Sequence, residues 1–98
     1  MFARVSMYRG DPDRLVDGFR GVTEPLQALD GFSHGYFMVD KESGAGMSIT
    51  FWENEQALVE SAAKADELRK QGAETGGSEI ESVRSYEVGM TVGSTPVT

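Results

Sequence analysis

The residues of this chain best able to do chemistry are few, and most lie on short segments of alternating character. Trp52 falls near the end of the segment Met47–Glu53, where Ser48, Thr50 and Trp52 share one face and Met47, Ile49 and Phe51 the other. An indole N–H donates one hydrogen bond to a ligand oxygen, and hydroxyls beside it add polar contacts to an otherwise apolar wall. Opposite that face the sequence offers an unusually small helical stripe, Leu58, Ser61, Ala62, Ala65 and Leu68, which leaves room for a cavity. The structural alternative is that Trp52 simply fills that room.

His34 is the single histidine, and so the one side chain whose unperturbed pKa lies near neutrality. It is the candidate general base for a phenol or an acidic carbon, and it shares a strand face with Tyr36. A lone strand histidine is equally at home as a hydrogen-bonded structural residue, and no orienting partner is visible. The catalytic candidates are thus Trp52 and His34. The candidate substrate-binding positions are Met7, Phe19, Tyr36, Ser48, Thr50, Ser61 and Arg84. Arg4, Tyr8 and Tyr86 join Arg84 as groups that hold an anion or a phenol if they point inward. Charged strand residues more commonly face solvent or an interface rim, where Arg4 and Arg84 would pair with Glu81 or Glu87.

Other chemistries are excluded or unsupported. The chain has no cysteine, which removes disulfides, thiolate metal sites and cysteine nucleophiles. Asp11, Asp13 and Asp17, like Glu79, Glu81 and Glu87, have no histidine or cysteine at metal-ligand spacing, so no metal site is expected. Gly44-Ala45-Gly46 and Gly76-Gly77 match no phosphate loop. Ser61 and Ser85 lack a visible His–Asp pair to activate them. A net charge of −7 with nine scattered basic residues argues against nucleic acid and anionic membranes as partners. The start of the chain lacks the layout of a signal peptide, and the longest apolar run, Tyr36-Phe37-Met38-Val39, is far too short to span a bilayer. A cytoplasmic location is expected.

The elements that must position these residues follow from periodicity and punctuation. Phe2 to Tyr8 alternates as a strand, with Ala3, Val5 and Met7 on its apolar face. Asp11-Pro12 opens a helix whose stripe is Leu15, Phe19, Val22, Leu26 and Leu29, with a kink expected at Pro25 and an end at Asp30-Gly31. Phe32 to Asp40 and Met47 to Glu53 are strands joined by a glycine-rich link. Asn54 caps a second helix that runs to about Gly72, Ala73 to Ser78 is a loop, and Ile80 to Val88 is the last strand. The order βαββαβ predicts one α+β domain over residues 1–88 with the ferredoxin-like fold, a four-stranded antiparallel sheet with both helices on one face. Residues 89–98 form a tail, either flexible or adding an edge strand to a partner. Apolar side chains on both faces of the second and third strands imply that both faces are covered, the second by another copy of the chain in a homodimer.

Ala3-Arg4-Val5 on the first strand, Gly31-Phe32 opening the second, and Thr50-Phe51-Trp52-Glu53-Asn54-Glu55-Gln56-Ala57-Leu58 across the third strand and second helix resemble the antibiotic biosynthesis monooxygenase family. The signature there is a strand ending in Trp-Glu, a short capping turn, and a helix beginning with Ala-Leu. The resemblance spans roughly residues 1–88 and implies a dimeric α+β barrel with a pocket between helices and sheet in each subunit. It also implies cofactor-independent oxygenation of a small aromatic or quinol, with no bound cofactor, or else non-catalytic binding of a small apolar ligand, as in a stress-related barrel. Two departures stand out. The helix reads Ala57-Leu58-Val59-Glu60-Ser61-Ala62-Ala63, without the histidine that many relatives carry, and the first strand lacks the asparagine of the haem-degrading members. Haem degradation is therefore not expected.

Overall fold

The computed structural model describes residues 1–93. Strands β1 (Phe2–Arg9), β2 (Phe32–Val39), β3 (Ala45–Trp52) and β4 (Glu79–Glu87) form one antiparallel sheet in the order β2-β3-β1-β4. Four helical segments lie between them: α1 (Pro12–Arg20), α2 (Thr23–Gln27), α3 (Glu55–Glu60) and α4 (Ala62–Gly76). This is the expected ferredoxin-like α+β arrangement, with β1 at its centre. Of the expected tail, residues 94–98 lie outside the described residues, while Met90 and Val92 are exposed.

Register decides which side chains meet the helices. Val5 stands opposite Ile49 on β3 and Arg84 on β4, and Arg4 opposite Thr50 and Ser85. Residues paired across an antiparallel ladder share a face. One face therefore carries Arg4, Ser6, Tyr8, Ser48, Thr50 and Trp52, all buried. The other carries Val5, Met7, Met47, Ile49 and Phe51, only half-buried, together with the exposed Tyr36 and Met38. The hydroxyl-rich face lies under the helices, and the apolar one is left open in the single chain. Bulges between Met7 and Tyr8 against β4, and at Ser33 between Phe32 and His34, adjust the ends of the ladders.

Both expected helices are broken. The first ends at Gly21 and resumes at Thr23, so the break precedes Pro25 instead of falling on it. Pro25 then sits in the first turn of α2, where its missing N–H is not needed. Leu15, Phe19, Val22 and Leu26 keep one buried stripe across the break. Asp11 caps α1 by accepting from the N–H groups of Asp13 (3.0 Å) and Arg14 (3.2 Å). Asn54 does the same for α3 through Ala57 N–H at 2.8 Å. The second helix breaks at Ser61. Ala62, expected inside, is exposed, and Arg69 is buried in its stead. The expected loop from Ala73 is helical to Gly76, and left-handed Gly77 closes α4.

The core has two parts. Val22, Leu26, Trp52, Ala57, Leu58 and Leu68 form one, and Tyr8, Leu15 and Phe19 the other. Phe37 packs against both and stacks on Phe19 with centroids 4.6 Å apart.

Candidate functional site

A cavity separates helices from sheet between the two parts of the core. Arg4, Ser6, Tyr8, Ser48 and Thr50 form its floor, Phe37 and the helical residues Phe19, Val22 and Leu26 one wall, and Ala65, Leu68 and Arg69 the other. Its volume is about 30 Å³, space for about two water molecules. It has neighbours on both sides. A surface cleft of about 320 Å³ between α2 and β2 shares Leu26 and Phe37 with it and has His34 in its lining. A groove of about 460 Å³ beside β4 shares Arg4 and Arg69.

The polar floor is tightly connected. Tyr8 Oη and Ser48 Oγ share a hydrogen bond of 3.0 Å. Trp52 Nε1 donates to Thr50 Oγ1 at 3.0 Å, and Arg69 Nε to Ser6 Oγ at 3.1 Å. Arg4 reaches the helix break: its Nη2 donates to the Leu58 carbonyl at 2.6 Å and its Nη1 to Ser61 Oγ at 3.4 Å. The break deprives the last carbonyls of α3 of their helical partners, and a cation is the favoured replacement at a helix C-terminus. Among the described residues every buried side-chain nitrogen and oxygen has a partner.

Charge is less well balanced than hydrogen bonding. Arg4 is 6 % exposed and lies 5.3 Å from the centre of the Trp52 ring. No carboxylate among the described residues pairs with it. Burial, and then the neighbouring Arg69, lower its pKa from the usual guanidinium value. Arg69 itself contacts Asp66 at 2.8 Å, but that half-exposed carboxylate is shared with Lys70 at 3.2 Å.

The residues expected from sequence are divided between the two sheet faces. Phe19, Ser48 and Thr50 line the cavity, and Ser61 lies behind Arg4 as its hydrogen-bond acceptor. Trp52 is fully buried in the adjoining core, one hydrogen bond behind the wall, with its N–H committed to Thr50. His34 and Tyr36 are on the open face, where His34 stacks on Phe51 at 4.5 Å and shares a 2.9 Å hydrogen bond with Ser33. Met7 and Arg84 belong to that open face too, opposite Met47 and Val5. Arg4 is inside the fold, not paired with Glu81 or Glu87; Glu81 pairs with Arg9 at 3.4 Å. Arg69, Ser6, Leu26 and Phe37 complete the cavity without having been singled out. The available signal was the alternation Arg4-x-Ser6-x-Tyr8, which repeats the hydroxyl pattern of Ser48-x-Thr50 on the strand beside it.

Among the described residues no group of three or more His, Cys, Asp or Glu side chains is placed to hold a metal. No helix among them is long and apolar enough to cross a membrane.

Solved structures share this architecture. SnoaB, a cofactor-independent oxygenase from Streptomyces nogalater, matches with a TM-score of 0.71 at 16% identity, over 93% of this chain and 95% of that one. The monooxygenase ActVA-Orf6 of Streptomyces coelicolor, solved with the ligand nanaomycin D, gives 0.64 at 19% identity, over 95% and 92%. A candidate antibiotic biosynthesis monooxygenase from Deinococcus radiodurans gives 0.71 at 12% identity, over 98% and 100%. Compared by sequence with protein-family models and with curated proteins, the chain matches none. The fold is thus the one seen in the antibiotic biosynthesis monooxygenases, as the segment Thr50–Leu58 implies. At these identities the likeness establishes fold, and fold alone does not carry an activity.

Proposed function

We propose that this protein is a cofactor-independent oxygenase of a small phenolic or quinol-like aromatic, bound as its anion in the cavity between helices and sheet. The observation that carries this reading is Arg4, a buried guanidinium on the cavity floor with no carboxylate partner among the described residues. A positive charge in a poorly hydrated site lowers the pKa of a bound phenol or of a ring CH2 beside a carbonyl. The resulting electron-rich anion can reduce dioxygen itself. Dioxygen adds through one oxygen atom to the carbanionic carbon to give a hydroperoxide. Loss of that carbon's remaining proton breaks the O–O bond, the distal oxygen leaves as water and a carbonyl remains, so CH2 plus O2 gives C=O plus H2O without an external reductant. Phe19, Leu26, Phe37 and Leu68 supply the apolar walls for a ring, and the Tyr8 and Ser48 hydroxyls its polar contacts. A ring is larger than the resting cavity, so binding parts the Leu26–Phe37 wall toward the α2–β2 cleft.

One observation favours a second reading, non-catalytic binding of the same ligands. The cavity lining contains arginine, tyrosine, serine and threonine but no His, Asp or Glu to act as a base near neutrality. Oxygen uptake on a panel of anthrones and naphthohydroquinones separates the two. Uptake by wild type that is lost in Arg4→Met supports the oxygenase; thermal stabilisation by the same compounds without uptake supports the binder. Indifference on both counts sinks both. We further propose that a second copy of the chain covers the open sheet face.

A further inference from the structure

We infer that the ligand of this cavity is an aromatic acid, whose ionised carboxylate seats in the groove beside β4 against Arg4 and Arg69. This rests on the reading that the cavity takes a ring, and it adds a second subsite with its own chemistry.

The groove exists because the helices leave β4 uncovered. Val83 and Ser85 stand opposite Ser6 and Arg4, on the face that elsewhere lies under helices, yet both are exposed. Leu58, Val59 and Ala62, at the break between α3 and α4, form the far side together with Asp66 of α4. Arg4 and Arg69 belong to both linings, so the groove and the cavity meet at these two side chains.

That pair has spare donors and spare charge. Arg4 spends N–H groups on Leu58 and Ser61, and Arg69 on Ser6 and Asp66. Each guanidinium carries five N–H groups in a planar fork that suits a carboxylate. Asp66 is the one carboxylate touching either guanidinium among the described residues, and it already serves Lys70. Two buried cations facing one shared, half-exposed anion leave a net positive spot in a chain whose overall charge is −7. An arriving carboxylate relieves the repulsion between Arg4 and Arg69. The apolar walls of the adjoining cavity then take the ring.

The test compares 2-naphthoate, its methyl ester, 2-naphthol and acetate by calorimetric titration of the full chain at neutral pH and low salt. Naphthoate should bind about tenfold more tightly than the ester, the scale of a charge-assisted pair of hydrogen bonds. Added salt should erode that advantage. In Arg69→Gln the acid should lose its advantage and bind no more tightly than the ester. Should Arg69→Gln fail to fold, the comparison of acid with ester in wild type decides alone. An ester that binds as well as the acid overturns the inference, as does an undiminished preference in folded Arg69→Gln. Acetate binding as tightly as naphthoate overturns it too, since the site would then suit small carboxylates and not aromatic ones. If naphthol binds and naphthoate gains nothing, the acid subsite fails alone; if no ring binds, it fails together with the proposed function.

Discussion

Gly18 on α1 and Gly72 on α4 meet backbone to backbone. A Cβ on Gly18 would run into the Gly72 carbonyl oxygen and stand 2.9 Å from the Gly76 nitrogen. The contact brings the two longest helices together without side chains between them, and Phe19, next to Gly18, then reaches the cavity from above. Gly18→Ala gains about 1 kcal/mol of helix propensity but overpacks a rigid backbone contact, which typically costs about 1–3 kcal/mol. A net loss of up to about 2 kcal/mol is expected from urea unfolding. Gly21 is the matched control, since it is right-handed at φ −68° and a Cβ there meets only the Gly18 oxygen at 3.6 Å. Gly21→Ala should be neutral or stabilise by up to about 1 kcal/mol. Equal stabilities for the two variants would contradict the close helix approach.

Arg4→Met should separate stability from ligand binding. The substitution removes hydrogen bonds to Leu58 and Ser61, but Ser61 Oγ still donates to the Leu58 carbonyl at 3.0 Å. It also removes a desolvated cation that Arg69 repels. A guanidinium does not give up its proton in proteins, so the cost of burying Arg4 is constant through the working range. Loss of two hydrogen bonds and relief of an unpaired buried charge should nearly cancel, leaving stability within about 1 kcal/mol of wild type. Binding of anionic aromatics should fall at least about tenfold. A folding loss well beyond 2 kcal/mol would mark Arg4 as a structural clamp on the helix break.

These two arginines also show where sequence patterns stop being informative. Strand alternation correctly placed Ser48, Thr50 and Trp52 on one face and Met47, Ile49 and Phe51 on the other, because period two is set by the backbone alone. The same rule put Arg4, Ser6 and Tyr8 together but could not say which face the helices cover. Charge suggested solvent, whereas helix packing turned that face inward. Trp52, His34 and Arg69 illustrate three further limits. Trp52 gives its N–H to Thr50, a local bond invisible to residue type. His34 follows the bulge at Ser33 onto the open face. Arg69 lies one helical turn beyond Ala65 on the buried stripe of Ser61, Ala65, Leu68 and Gly72, where its charge argued for solvent. Gly76-Gly77 suggests a loop from Ala73 by composition, yet small size at a helix crossing explains Gly76 better.

The open face predicts self-association. Ile49 lies opposite Val5 on β1 and Tyr36 on β2, with Met47 and Phe51 two residues either side. A partly exposed apolar surface of this extent is unfavourable for a small single chain and suits a two-fold interface. Sedimentation equilibrium should give twice the chain mass for wild type. Ile49→Lys should give the chain mass with an unchanged circular dichroism spectrum, because a buried unpaired charge opposes the interface without touching the helix-covered core. A monomeric wild type at all concentrations, or a dimeric Ile49→Lys, would exclude this face as the interface.

Asp40 provides a pH-dependent check at the far end of the sheet. Its Oδ1 accepts from Glu42 N–H at 3.0 Å and Ser43 N–H at 3.4 Å, organising the turn from β2 to β3. The Glu42 backbone hydrogen bond, then those from Ser43, hold its carboxyl below the usual value of 3.8. A carboxyl whose pKa is lower folded than unfolded stabilises the fold above the unfolded value, and loses that contribution as pH falls through the folded one. Asp40→Asn keeps an oxygen acceptor but not the charge. Wild type should therefore have the higher urea midpoint at about pH 6, with the gap closing toward about pH 2. Binding at neutral pH should not change, since neither Asp40 nor its turn lines the cavity. A gap that stays constant with pH would mean that the turn depends on the acceptor geometry of Asp40 and not on its ionisation.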